Sequence, residues 1–324
     1  METRNLIRRR SLLSVVVVVV FFTIALCKGT LLAQTPANEP VREQKPEQGQ
    51  IPGDHYDPDD VKTYDDVVTE DRTVAIRGQS FKVHFYKHRD AATPMLAIYA
   101  CGDGGWRGLA PRTAQQLAHV GFAVAGIDSK VYLRELSSPD NPMTIKTLGS
   151  DYAEIATGLR SYANVNANAP VYVYGWSLGA GFAIAVGSDQ ATRSNWAGIV
   201  AIGLPAQNQL VSGMAGNHAN LRNPANARLG FRSEAVLSEL SPVPLVMIES
   251  TSDTASPQKV SRKLFAAARD PKQYVLINAE NHRFSGARPE FYSALENAST
   301  WIRQVRGDAN HAEQMSNSRN EGQK

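Results

Sequence analysis

The sequence has 324 residues, 43% hydrophobic and 20% charged, with a formal net charge of +3, a profile that fits a globular protein and excludes a low-complexity or fibrous one. Lys and Arg are scattered outside the first ten residues and nearly balanced by acids, so no nucleic-acid partner is expected. Of the two cysteines, Cys27 lies in the leader and Cys101 in the body; loss of the leader leaves a lone thiol and no internal disulfide.

The chain opens with Arg4, Arg8, Arg9 and Arg10 ahead of an apolar run over 12–27, valine throughout 15–20, closed by Lys28. The run is shorter than the roughly 20 residues that span a bilayer comfortably, so 1–33 reads as a signal peptide cleaved after Ala33 or Ala37, with a permanent anchor as the alternative. Arg9-Arg10 before Ser11-Leu12-Leu13 loosely follows a twin-arginine signal, and Ile24-Ala25-Leu26-Cys27 loosely follows a lipobox, with Leu26 bulky for that role. Residues 34–62, rich in Pro, Gln, Glu and Asp, show no apolar period and read as a disordered linker; 307–324 read as a polar tail.

Between these ends, 63–306 leave roughly 240 residues for one domain. A hairpin is predicted over 73–77 and 81–86 across Gly78-Gln79, then strands over 95–100, 122–127, 171–174, 198–204, 245–249 and 274–277. These runs are uninterrupted, as in strands buried on both faces of a parallel sheet. Helical spacing separates them, most clearly Leu148, Tyr152, Ile155, Leu159 and Tyr162, and later Phe291, Leu295, Ala298 and Ile302. The fold class this implies is α/β, a mostly parallel central sheet with helices on both faces and ligands received at the carboxyl ends of the strands. The Asn-, Ala- and Gly-rich excursion 205–242 is read as a cap over the site, or else a decorative insertion.

The chemistry concentrates at those strand ends. Gly175-Trp176-Ser177-Leu178-Gly179 sits directly after one strand and before a helix-like run over 180–186, the context of a nucleophile elbow, in which a sharp turn projects the serine hydroxyl above the sheet of an α/β-hydrolase fold. A serine hydroxyl needs a base, and the base a carboxylate to orient it. Asp253 follows the strand 245–249 and His282 follows the strand 274–277, in the order serine, acid, histidine. Asp253 also heads a turn into a helix, where a capping role is the alternative, and Glu249 is the reserve acid. His84, His88, His119, His218, His311 and His55 fall in the hairpin, a helix end, the insertion, the tail and the linker.

An oxyanion needs amide donors, expected from Leu178 and from the glycine-rich loop Gly102, Asp103, Gly104 after strand 95–100. Asp103 is odd there, since a carboxylate repels a developing anion; it either braces the loop from outside or meets a cationic part of the substrate. Trp106, Asp128 and Trp176 are expected to line the pocket, Asp128 with a surface turn as its alternative. Cys101, at the end of an apolar strand, reads as a small hydrophobe rather than a nucleophile. No His, Asp and Cys spacing resembles a ligand set, so no metal or organic cofactor is expected.

Four segments together resemble one family: Gly102-Asp103-Gly104-Gly105-Trp106-Arg107, Gly126-Ile127-Asp128-Ser129, Gly175-Trp176-Ser177-Leu178-Gly179-Ala180 and Asn281-His282-Arg283-Phe284. The chain is similar over roughly 95–305 to the VirJ/AcvB group of periplasmic virulence-associated α/β hydrolases, and departs from it in the long insertion and in Trp176, where tyrosine is commoner. The resemblance implies export to the periplasm and hydrolysis of aminoacylated phosphatidylglycerol, a membrane-lipid ester, with Asp103 suited to a cationic aminoacyl group. A small-molecule ester of a generic carboxylesterase or a peptide substrate stays open. So does a non-catalytic periplasmic scaffold that holds protein partners on the same fold.

Overall fold

The computed structural model describes residues 64–90, 94–138, 140–212 and 229–307. The expected leader, the linker, the tail beyond 307 and the middle of the 205–242 excursion lie outside the described residues.

An antiparallel hairpin, β1 (Val67–Ile76) and β2 (Gln79–His88), opens the sheet. β1 begins six residues before the predicted strand. The Glu70-Asp71-Arg72 triplet interrupts its apolar pattern, yet β1 is an edge strand, where charges are tolerated and discourage pairing with another chain. Then come β3 (Met95–Ala100), α1 (Leu109–His119), β4 (Phe122–Ile127), α2 (Ser129–Leu136), α3 (Ile145–Ala163), β5 (Val171–Trp176), α4 (Leu178–Ser188) and β6 (Trp196–Ile202). The short strands β7 (Gln207–Gln209) and β8 (Gly230–Arg232) and helix α5 (Ser233–Leu237) precede β9 (Leu245–Ser250), α6 (Gln258–Ala267), β10 (Lys272–Ile277) and α7 (Arg288–Arg306).

Eight strands form one sheet in the order β1-β2-β4-β3-β5-β6-β9-β10, parallel from β4 onward. β3, β4, β5, β6 and β9 are buried along almost their whole length, which is why they read as unbroken apolar runs. Two cores flank the sheet. Leu148, Tyr152, Ile155 and Leu159 of α3 pack with Phe182 and Ile184 of α4 on one side; Leu117 of α1 packs with Phe291, Leu295 and Ile302 of α7 on the other. α3 starts on a capping box, Thr144 with Thr147, and stops at Asn164 in the left-handed region.

Chain order reverses around β3 and β5, and the crevice at such a switch point lies at the carboxyl ends of the strands. Every loop expected to carry chemistry leaves from this edge: 101–107 after β3, Asp128 after β4, Ser177 after β5, Asp253 after β9 and His282 after β10; the 203–204 turn after β6 joins them.

Candidate active site

At the end of β5 the chain turns into α4 through Ser177, whose φ of 55° and ψ of −115° lie outside the regions a serine ordinarily occupies. Crowding makes that turn specific. A Cβ on Gly175 would stand 2.0 Å from the Gly179 carbonyl oxygen, and one on Gly179 would stand 2.1 Å from that of Ala100, so both flanking positions exclude any side chain. Ser177 donates its amide to Ile202 O at 2.9 Å and Gly179 its amide to Cys101 O at 3.1 Å, tying the elbow to β6 and to the loop after β3. Leu178 is the first residue of α4, so its amide has no partner within the helix.

Within 101–107, Gly105 and Arg107 donate their amides to Gly102 O and Gly105 O, and Trp106 N donates to Asp128 Oδ2 at 3.1 Å. The amides of Gly102, Asp103 and Gly104 have no acceptor among the described residues. A Cβ on Gly102 would be 3.3 Å from the Ser177 Cβ, so this stretch of donors lies against the elbow.

The imidazole of His282 has its Nδ1 2.5 Å from Asp253 Oδ2. Asp253 is buried, and its other oxygen accepts from the amides of Ala255 and Ser256, each at 2.8 Å. Asp253 does not cap α6, whose N-cap is Pro257; its contacts with the turn and with the imidazole fall on different oxygens of one carboxylate. Burial pushes this carboxyl up; the contact with His282 and the two amides outweigh it and hold it below the ordinary carboxylate range. On the far side of the ring, Nε2 is buried with no hydrogen-bond partner. The ring lies against Gly203, where a Cβ would be 2.6 Å from Cε1, and Gly203 follows the residue whose carbonyl receives the Ser177 amide. Ser177 and His282 therefore flank the same turn after β6.

Trp176 is buried; its Nε1–H donates to His282 O at 3.2 Å and its ring centroid is 5.5 Å from the imidazole. Expected to line the pocket, it instead fills the space between Gly102 and the histidine loop. Trp106 is likewise committed elsewhere. Its indole stacks on His84 at 4.8 Å, donates to Tyr86 Oη at 3.2 Å and occupies the space over Gly126, where a Cβ would be 2.2 Å from it. Asp128 caps α2 through the amides of Lys130 and Val131 and, with its other oxygen, holds Trp106 N. The brace of the glycine loop is Asp128, not Asp103, which is exposed and makes no hydrogen bond among the described residues.

Three contributors were not read from the sequence: Gly203 beneath the imidazole, Ser256 on Asp253, and the amide of Leu204, which donates to Glu249 Oε1 at 3.2 Å. The Gly203-Leu204-Pro205 string at the end of β6 carried the signal for the first. Burial pushes the thiol of Cys101 up to about 12, so it stays protonated and apolar in behaviour. Among the described residues no three His, Cys, Asp or Glu side chains are set to hold a metal, and no helix is long and apolar enough to cross a membrane.

The flanks of the 205–242 excursion are built into the fold. β7 pairs with β8, Leu210 N donates to Leu229 O, and Asn208 lies against Gly181 of α4, where a Cβ would be 1.9 Å from its Oδ1.

Sheet order, elbow and strand-end loops define an α/β-hydrolase fold. Residues 94–214 match the bacterial virulence protein family VirJ, in line with the resemblance read from the four motifs. No functionally curated protein matches the chain significantly. Among solved structures, a protein assigned as a dienelactone hydrolase from Klebsiella pneumoniae superposes with a TM-score of 0.55 at 13% identity, covering 74% of this chain and 99% of that one. The esterase domain of a Rhodothermus marinus protein gives 0.50 at 18%, covering 74% and 98%, and an α/β hydrolase from a Penicillium species 0.53 at 13%, covering 74% and 99%. At these identities the likeness is one of fold.

Proposed function

We propose that the protein is an exported serine hydrolase that cleaves an ester by two-step acyl transfer, with Ser177 as nucleophile, His282 as base and Asp253 as orienting acid. The observation that carries this reading is the state of the imidazole: one nitrogen is fixed by a buried carboxylate, the other is buried and unpartnered, and the ring lies against Gly203, next to the residue whose carbonyl receives the Ser177 amide. With Nδ1–H donated to Asp253, Nε2 keeps its lone pair and accepts the Ser177 proton as Oγ attacks the carbonyl carbon. The tetrahedral oxyanion is met by the amides of Leu178 and of 102–104, each such donor being worth about 10²–10³ in rate. The imidazolium then protonates the leaving alcohol. Water, deprotonated by the same nitrogen, releases the acid from the acyl-enzyme.

The substrate class that fits best is an aminoacyl ester of phosphatidylglycerol. Two things support it: the family resemblance, and an exposed, unpaired Asp103 next to the donor loop, where a carboxylate suits the ammonium group of a lysyl ester and serves no structural bond. Export follows from the basic, then apolar, leader.

A fluorophosphonate probe tests the chemistry. Labelling of the purified protein that disappears in Ser177→Ala is expected; folded protein that never labels would leave the non-catalytic scaffold as the reading. Turnover of lysyl-phosphatidylglycerol is expected to exceed that of p-nitrophenyl esters and peptides, and Asp103→Asn is expected to reduce that preference.

A further inference from the structure

Glu249 is the one carboxyl of the site left without a task in this mechanism. It lies on β9 and is fully buried, with Oε1 accepting from Leu204 N at 3.2 Å and Oε2 buried without any partner. An ionised carboxylate with one oxygen wholly unsatisfied is costly in such a place, whereas a neutral acid leaves only a hydroxyl unmatched. The titratable groups that bear on it are Asp253, from the loop after β9, and Tyr274, from β10, which carries Arg262 over its ring. Burial drives the Glu249 carboxyl well above its ordinary range; the Leu204 amide opposes that, and the negative charge of Asp253 adds to it.

Its single hydrogen bond falls where the imidazole needs support. Leu204 follows Gly203, the residue against which the His282 ring lies. Gly203 N is held by Ile248 O at 2.9 Å, Leu204 N by Glu249, and Leu204 O accepts from Ser256 Oγ at 2.7 Å. Ser256 in turn donates its amide to Asp253. The loop closes from Glu249 through Leu204, Ser256 and Asp253 to His282 and back to Gly203. We infer that Glu249 is a positioning residue of the Ser177–His282–Asp253 assembly: a carboxylic acid that keeps its proton and braces the 203–204 turn against the imidazole. This rests on the hydrolase reading above. Keeping the proton leaves Asp253 as the only negative charge of the acid chamber, and the brace holds the ring at its angle to the serine.

The test compares Glu249→Gln, Glu249→Leu and Glu249→Asp in the full-length protein. Glutamine keeps the carbonyl acceptor and cannot ionise, so it is expected to retain wild-type kcat and probe-labelling rate. Leucine removes the acceptor, and aspartate withdraws it by one methylene; both are expected to lower kcat and the labelling rate by about tenfold or more with little change in KM. The difference infrared spectrum, wild type minus Glu249→Gln, is expected to show a carboxylic-acid C=O band at neutral pH that shifts in D2O. Absence of that band, or a Glu249→Gln variant as impaired as Glu249→Leu, overturns the inference. So does wild-type labelling by Glu249→Asp. If Glu249→Leu does not fold, the glutamine and aspartate variants and the infrared band still decide. Failure of the hydrolase reading looks different: the wild type does not label at all, while the infrared band is present or absent regardless.

Discussion

Asp253 gives its oxygens different work, Oδ1 to the amides of Ala255 and Ser256 and Oδ2 to His282. The amides fix the angle of the carboxylate, and the carboxylate fixes the tautomer of the imidazole. Asparagine in its place keeps the volume and the turn-forming oxygen but offers Nδ1 an N–H, so the ring proton moves to Nε2 and the base is lost. Asp253→Asn is therefore expected to lower kcat by about a thousandfold or more while the protein stays folded, read by ester turnover beside a melting curve. The same residue sets an acid limit. Its folded-state carboxyl titrates below its ordinary value of 3.8, so the stability it contributes is present above that value and is lost as pH falls through the lower folded one. Asp253→Asn is expected to flatten that part of the acid-unfolding curve.

The junction of β4 with α2 shows what an element adds to a site. The sequence offers Asp128 as a pocket residue or a bland turn; in the structure it is the N-cap of α2 and the acceptor for Trp106 N in the neighbouring loop after β3. Asp128→Ala removes both, at a cost of about 1 kcal/mol for the cap alone. The donor loop loses its brace, so the expected outcome is a fall in kcat larger than the modest drop in Tm would suggest, measured by ester turnover and thermal unfolding. α2 escaped the sequence reading because its eight residues, SKVYLREL, make barely two turns and their apolar spacing is too short to stand out. Strands β3 and β4 were legible to the residue, since burial on both faces leaves an unbroken apolar run. The strand-end placement of Ser177, Asp253 and His282 was legible for a related reason: each follows a readable strand, and the order of loops along one sheet edge is fixed by the topology. The roles of Trp106, Trp176 and Gly203 were not, because each depends on a contact between segments far apart in the chain, such as Trp176 with the carbonyl of His282, and local pattern carries no such information.

At the scale of the whole molecule, the sheet sets the dielectric in which these groups act. β9 lies between β6 and β10, with helices packed over the sheet, and Glu249 sits on it with no exposure. An unfolded chain returns this carboxyl to its ordinary value of 4.5, whereas burial holds it well above that in the fold. Between the two values the folded state binds a proton that the unfolded state has released, so stability declines as pH rises, by up to about 1.4 kcal/mol per pH unit for one proton. Glu249→Gln removes this linkage and little else. The buried Asp151, held above its ordinary range by burial against the opposing contacts of Tyr132 and Arg77, titrates alike in both proteins and cancels from the difference. The stability of Glu249→Gln relative to wild type is therefore expected to rise steadily from about pH 5 upward, measured by urea unfolding at a series of pH values. A difference that stays flat over that range would mean that the carboxyl ionises in the fold as readily as in the open chain, and that water or a cation reaches the interior of β9.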